Sequence, residues 1–108
     1  AEQLYEESLA IKRDTGDREG ESVALCNLGI ISNKQSDFAK AERLFKESLA
    51  IKREIGDRQG EPDIHIGLAS IAYSRNDPTE QRRLYTEAVK IWREIGMPVP
   101  QWYLDNGY

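Results

Sequence analysis

His65 and Cys26 are the only histidine and the only cysteine in these 108 residues. A zinc site wants three or four clustered ligands, and one His and one Cys on separate segments do not supply them. Cys26 has no base beside it in sequence and reads as a small, half-buried thiol. A lone cysteine forms no internal disulfide, which fits a reducing compartment and a cytoplasmic location. Carboxylates are plentiful, 19 Asp and Glu against 15 Lys and Arg. They fall at helix caps or in pairs such as Glu42 with Lys46 and Arg43 with Glu47. That spacing is i,i+4 surface support, not an acid/base pair. Phosphate-cradling glycine motifs are absent. The expectation is a chain that is not an enzyme, with no cofactor and no metal.

The net charge is −4, with both signs interleaved. A nucleic-acid binder would show a basic stripe, and none is present. No run of about 18 apolar residues exists to span a membrane. The opening AEQLYEESL has neither a basic start nor an apolar signal core and begins in mid-pattern, as a piece of a longer array would.

Function must therefore be sought in surfaces, and the elements that build them repeat. Residues 1–21 and 41–61 are identical at fifteen of 21 positions at an offset of 40. A more divergent copy begins near Glu80, where LYTEAVKIWREIG (84–96) lies over LFKESLAIKREIG (44–56). A fixed period of this size signals a stack of one supersecondary unit. In the second copy Phe38, Ala41, Leu44, Phe45, Ser48, Leu49, Ile51 and Ile55 recur in steps of three and four, the mark of an amphipathic helix. Asp37 and Asp77 are placed as N-caps, with Pro78 at the first helical position and Glu80 set for a capping box. Gly16, Gly56 and Gly96 stand where helices end left-handed. Asp17 and Asp57 follow two of them and are expected to cap the next helices. Pro62 implies a helix that starts near Glu61 or bends there. The spacing predicts helices over about 2–15, 19–35, 38–55, 61–75 and 78–95, joined by short turns and so antiparallel.

The segment LCNLGIISNKQSDFAKAERLFKESLAI (25–51) resembles a tetratricopeptide repeat. The carriers are Leu28 and Gly29 in the first helix of the unit (helix A) and Ala41, Phe45 and Ser48 in the second (helix B). Leu68, Ala69, Tyr85 and Ala88 follow in the next unit, with Gln81 in place of alanine. Ala1, Tyr5 and Ser8 lead in the half unit before. The 40-residue period and the Gly-Asp-Arg-x-Gly-Glu connector are similar to repeats of kinesin light chains and Leu-Gly-Asn-type adaptors. Ser32 and Ser36 replace a usual aromatic and a usual glycine. HEAT-type repeats share the period but not this residue order.

The resemblance implies an all-α, right-handed α-solenoid of antiparallel helix pairs. Its parts would be helix B of a truncated first repeat (1–17), full repeats over 18–56 and 57–96, and a C-terminal tail (97–108) with a possible short capping helix. It implies a protein–protein interaction module that presents a concave helix-A surface to a peptide or protein. The partner-binding positions that follow are Asn27, Ile30, Asn33 and Lys34 in one unit and Asp63, Ile66, Ser70 and Tyr73 in the next. Asn27 stands out, because a side-chain amide pairs with a peptide unit of any sequence. Gly67 at the next register cannot repeat it. The family register also sends His65 to the core. The alternatives are a sensor or regulatory segment of a larger signalling ATPase or transcription regulator, and a structural spacer with no ligand. Partners are expected to exclude nucleic acid and membrane. A homodimer through the terminal helices or the aromatic tail is the further expectation, since Leu4, Leu9 and Ile11 lack a covering helix and Trp102, Tyr103 and Leu104 cluster near the end.

Overall fold

The computed structural model describes residues 1–108. Its elements are α1 (Glu2–Thr15), α2 (Arg18–Lys34), α3 (Phe38–Ile55), α4 (Glu61–Ser74), α5 (Pro78–Glu94) and α6 (Gln101–Asp105), with no strand. They fall into two compact units, Ala1–Asp57 and Arg58–Tyr108. α1 packs on α2 and α2 on α3 in the first; α4 packs on α5 in the second. The all-α architecture of paired helices is the one the 3.6-residue periodicity demands.

The helix ends follow from local chemistry. Gly16, Gly56 and Gly96 all have φ between 72° and 75°. At each, the next residue's N–H reaches back five residues, as Asp17 does to the Lys12 carbonyl at 2.9 Å, closing the helix. The turns inside each pair close the same way without glycine: Ser36 (φ 62°) and Asn76 (φ 56°) adopt the left-handed region. Asparagine tolerates that conformation better than serine. Ser36→Gly is therefore expected to raise stability by about 1 kcal/mol, read as a higher midpoint in urea with an unchanged slope.

Asp17, Asp37 and Asp77 accept from the backbone N–H of Gly20, Lys40 and Glu80 and cap α2, α3 and α5. The expected capping box at Asp77 is only half formed. The Asp77 N–H donates to the Ala72 carbonyl, and Glu80 pairs with Arg83. Asp57 does not cap, contrary to expectation. α4 has Gly60 at its N-cap, and Asp57 pairs with Lys52 at 3.3 Å. Pro62 is the physical reason. A helix begun at Arg58 would bring the proline ring against the Arg58 carbonyl four residues back, so the helix starts at Glu61, where Pro62 lies in the first turn.

In the first unit the core is Leu9, Ala24, Leu25, Leu28, Leu44 and Ile51, with Tyr5 packed against it. Leu9 is thus buried, correcting the expectation of exposure, whereas Leu4 and Ile11 are exposed. Phe45 is fully buried, and a Cβ added at Gly29 would lie 3.0 Å from its ring. The Leu-Gly signature is the space this ring needs. In the second unit Ala69 stands at that register and clusters with Ala72 and Leu84, with Leu68 and Tyr85 alongside.

Helices α2 and α3 also share a buried polar contact. Ser48 Oγ donates to the Ser22 carbonyl at 2.8 Å, and the two hydroxyls meet at 2.9 Å. The residues 40 positions on are Pro62 and Ala88, both buried. The pair is polar on both sides in one unit and apolar on both sides in the other. Ser48→Ala is expected to cost about 1 kcal/mol, because the buried Ser22 hydroxyl keeps only its longer bond, 3.4 Å, to the carbonyl of residue 48. The Ser22→Ala/Ser48→Ala double variant should cost less than the sum of the single variants, which a double-mutant cycle by denaturant titration checks.

The tail packs on the second unit. Val99, Tyr103 and Tyr108 join Ile66 against Ala88, Val89 and Trp92. Tyr103 meets Trp92 and Tyr85 edge to face, with centroids 5.2 and 5.5 Å apart. Arg82 lies over the Tyr108 ring at 5.2 Å.

Candidate functional site

The first unit presents α2. Val23, Asn27, Ile30 and Lys34 are spaced by four, three and four residues and share one helix face. Val23 and Ile30 are 49% and 42% exposed, high for apolar side chains. Lys34 is exposed, and Asn27, Asn33 and Cys26 are partly buried. Asn27 and Val23 also wall a groove of about 390 Å³, whose other side is Tyr5, Ser8 and Lys12 of α1.

Charge at the mouth of that groove is fixed. Asp17 accepts from the Gly20 N–H at 2.9 Å and pairs with Lys12 at 3.3 Å. Those two contacts, the backbone hydrogen bond first, hold the Asp17 carboxyl below its usual value.

The repeated connector builds one ionic arrangement twice. Arg18 bridges Glu21 at 2.7 Å and Glu54 at 2.6 Å. Arg58 bridges Glu61 at 3.0 Å and Glu94 at 2.7 Å. Glu21 and Glu61 are buried and the arginines are about half exposed. Each arginine ties the start of one helix to the end of its partner, which explains why this loop sequence repeats so closely. The outer pairs, to Glu54 and Glu94, are exposed and contribute little to stability; they hold the helix ends in register.

In the second unit the expected residues disperse. Asp63 is exposed, Ser70 is partly buried, and Tyr73 is exposed. Tyr73 lines a groove of about 560 Å³ at the α4–α5 turn with Ser74, Asn76, Asp77, Pro78 and Gln81. Ile66 instead packs beneath the tail aromatics. His65 is buried, with Nδ1 2.9 Å from the Glu61 carbonyl. No three His, Cys, Asp or Glu side chains converge as a metal would need, and no helix is long and apolar enough to cross a membrane.

The model of the tetratricopeptide repeat family matches residues 1–54, half of the chain's 108. The chain belongs to the tetratricopeptide repeat family. A search of curated proteins gives no match. Tetratricopeptide repeats are protein-interaction modules, typically without catalysis, and the chain's function class is accordingly protein binding.

Sequence reasoning about helix A alone missed the α1 wall of the groove. The signal was present in the half unit, where Tyr5 and Ser8 stand at the positions of Phe45 and Ser48. The Ser22–Ser48 contact was missed too. Its signal is the joint change to Pro62 and Ala88 one period later.

Proposed function

We propose that this tetratricopeptide segment is a non-catalytic docking module in which α2 of the first unit and α4 of the second each offer a face to an extended or helical peptide of a protein partner. The observation that carries the reading is the α2 face itself, where exposed Val23 and Ile30 flank the Asn27 amide at the rim of a groove. Apolar side chains of the peptide would cover Val23 and Ile30. Asn27, with one acceptor and two donors, would pair with its backbone, and Asn33 and Lys34 would set polarity at the far end. On α4, Asp63, Ser70 and Tyr73 are the contacts, with Ile66 contributing only the part of its surface that the tail leaves open. The mode is groove recognition by a preformed helix surface.

Asn27→Ala is expected to weaken partner binding about fivefold or more, the loss of one or two hydrogen bonds. Tyr73→Ala should weaken it by a similar factor, and neither should change helicity. Calorimetric titration of both variants with a partner captured by the intact array checks this. Unchanged affinity in both would move the binding surface elsewhere.

A further inference from the structure

The charged side chains of α2 are Arg18, Glu19, Glu21 and Lys34. Arg18 and Glu21 are engaged inside the first unit, with each other and with Glu54 and Arg13. Glu19 and Lys34 are exposed and enter no ion pair. At 3.6 residues per turn, Glu19, Val23, Asn27, Ile30 and Lys34 fall within an arc of about 80°, and Arg18 and Glu21 lie well outside it. The helix therefore carries one stripe that runs acid, apolar, amide, apolar, base, with its two apolar members among the most exposed of the unit. The helix dipole accounts for an acid at the start and a base at the end. It does not account for the apolar pair and the amide between them on the same arc. One period on, the counterparts are Gln59, Asp63, Gly67, Ser70 and Ser74, with no cation and no large apolar side chain. The stripe belongs to the first unit alone.

Its spacing favours one kind of occupant. Measured from Glu19 along the axis, Val23, Asn27, Ile30 and Lys34 stand at about 6, 12, 16 and 22 Å. An extended chain turns every second side chain the same way, at about 7, 13 and 20 Å from the first. Alternate residues of such a chain come nearly level with Glu19, Val23, Ile30 and Lys34. The middle of the chain then passes Asn27, whose amide can pair with open peptide groups. A helical occupant offers few of these, because its backbone bonds are internal.

We propose that the α2 stripe selects an extended segment of a protein partner in which a basic residue, two apolar residues and an acidic residue alternate with residues of any type. The basic residue lies over Glu19 and the acidic one over Lys34, and the apolar pair covers Val23 and Ile30. Either chain direction satisfies this arrangement, since the Asn27 amide both donates and accepts. The proposal rests on the peptide-docking reading of α2 and adds to it the charge signature of the partner.

The test titrates the full chain into a labelled synthetic peptide, Lys-Ser-Leu-Ser-Leu-Ser-Glu with blocked ends, at low salt, followed by fluorescence anisotropy. Three relatives carry Gln, Glu or Lys at both ends. The mixed-charge peptide is expected to bind about fivefold more tightly than each relative, and high salt should close the gap. Glu19→Lys should shift the preference to the peptide with Glu at both ends, and Lys34→Glu to the peptide with Lys at both ends. Equal binding of the four peptides that Asn27→Ala still weakens overturns the charge signature and leaves the docking reading standing. A preference that neither charge reversal moves does the same. No binding of any of the four overturns both.

Discussion

Phe45→Ala is expected to destabilise the first unit by about 3–5 kcal/mol, a large share of what a domain of this size holds. Phe45 is fully buried, and its ring fills the space left by the missing side chain of Gly29, 3.0 Å from where a Cβ would stand. Alanine leaves a cavity between two helices that meet face to face, and neither backbone can collapse into it without disturbing the Ser22–Ser48 contact. Phe45→Leu should cost less, because it keeps part of the volume. Thermal and urea unfolding followed by circular dichroism check both. A loss below about 1 kcal/mol for alanine would mean that α2 and α3 are held chiefly by other contacts. Gly29→Leu should be as damaging, since it drives a branched side chain into the same ring.

Removing residues 98–108 is expected to destabilise the second unit on the order of 2–3 kcal/mol. Val99, Tyr103 and Tyr108 cover Ala88, Val89, Trp92 and Ile66, and aromatic contacts of this type add to the area they bury. The ordering entropy of a short tail offsets part of that gain. pH supplies a second signature. Burial, and then the charges of Tyr85 and Asp63, hold the Tyr103 phenol above its ordinary value. A group whose folded pKa is raised contributes fully below its unfolded pKa, about 10 for tyrosine, and its contribution is lost as pH rises through the folded value. The intact chain should therefore lose stability above about pH 10 more steeply than the chain lacking the tail. Identical melting with and without the tail, together with lost self-association, would identify the tail as a docking segment rather than a cover.

Much of the fold was legible in the residues. Helices α1 and α3 were placed to the residue by the periodic apolar positions and the glycine stops, and α2, α4 and α5 to within one residue at either end. That works because capping, left-handed closure and amphipathicity are local. Asp57 shows where local reading fails: it has the same adjoining residues as Asp17, yet Pro62, five residues on, moves the helix start to Glu61 and the N-cap to Gly60. Leu9 shows another limit. The half unit exposes Leu4 and Ile11 on one side, but Leu9 faces α2, and which side a neighbour takes is set by packing between elements.

The candidate site divides in the same way. Sequence alone determined the repeat, its period, the helices and which residues of α2 share a face, because those depend on spacing along one chain. It also determined that histidine and cysteine occur once each, which is a matter of composition. Only the tertiary structure decided that Asn27 borders a groove with Tyr5 and Ser8 of another helix, that Ile66 lies under the tail rather than open, and that Ser22 and Ser48 bond across α2 and α3. These are contacts between residues 19 to 42 positions apart, and no local rule of backbone or capping chemistry reaches that far. They follow from how helix faces close on one another, where a missing side chain at Gly29 or a ring at Tyr103 settles what is covered and what remains free to bind.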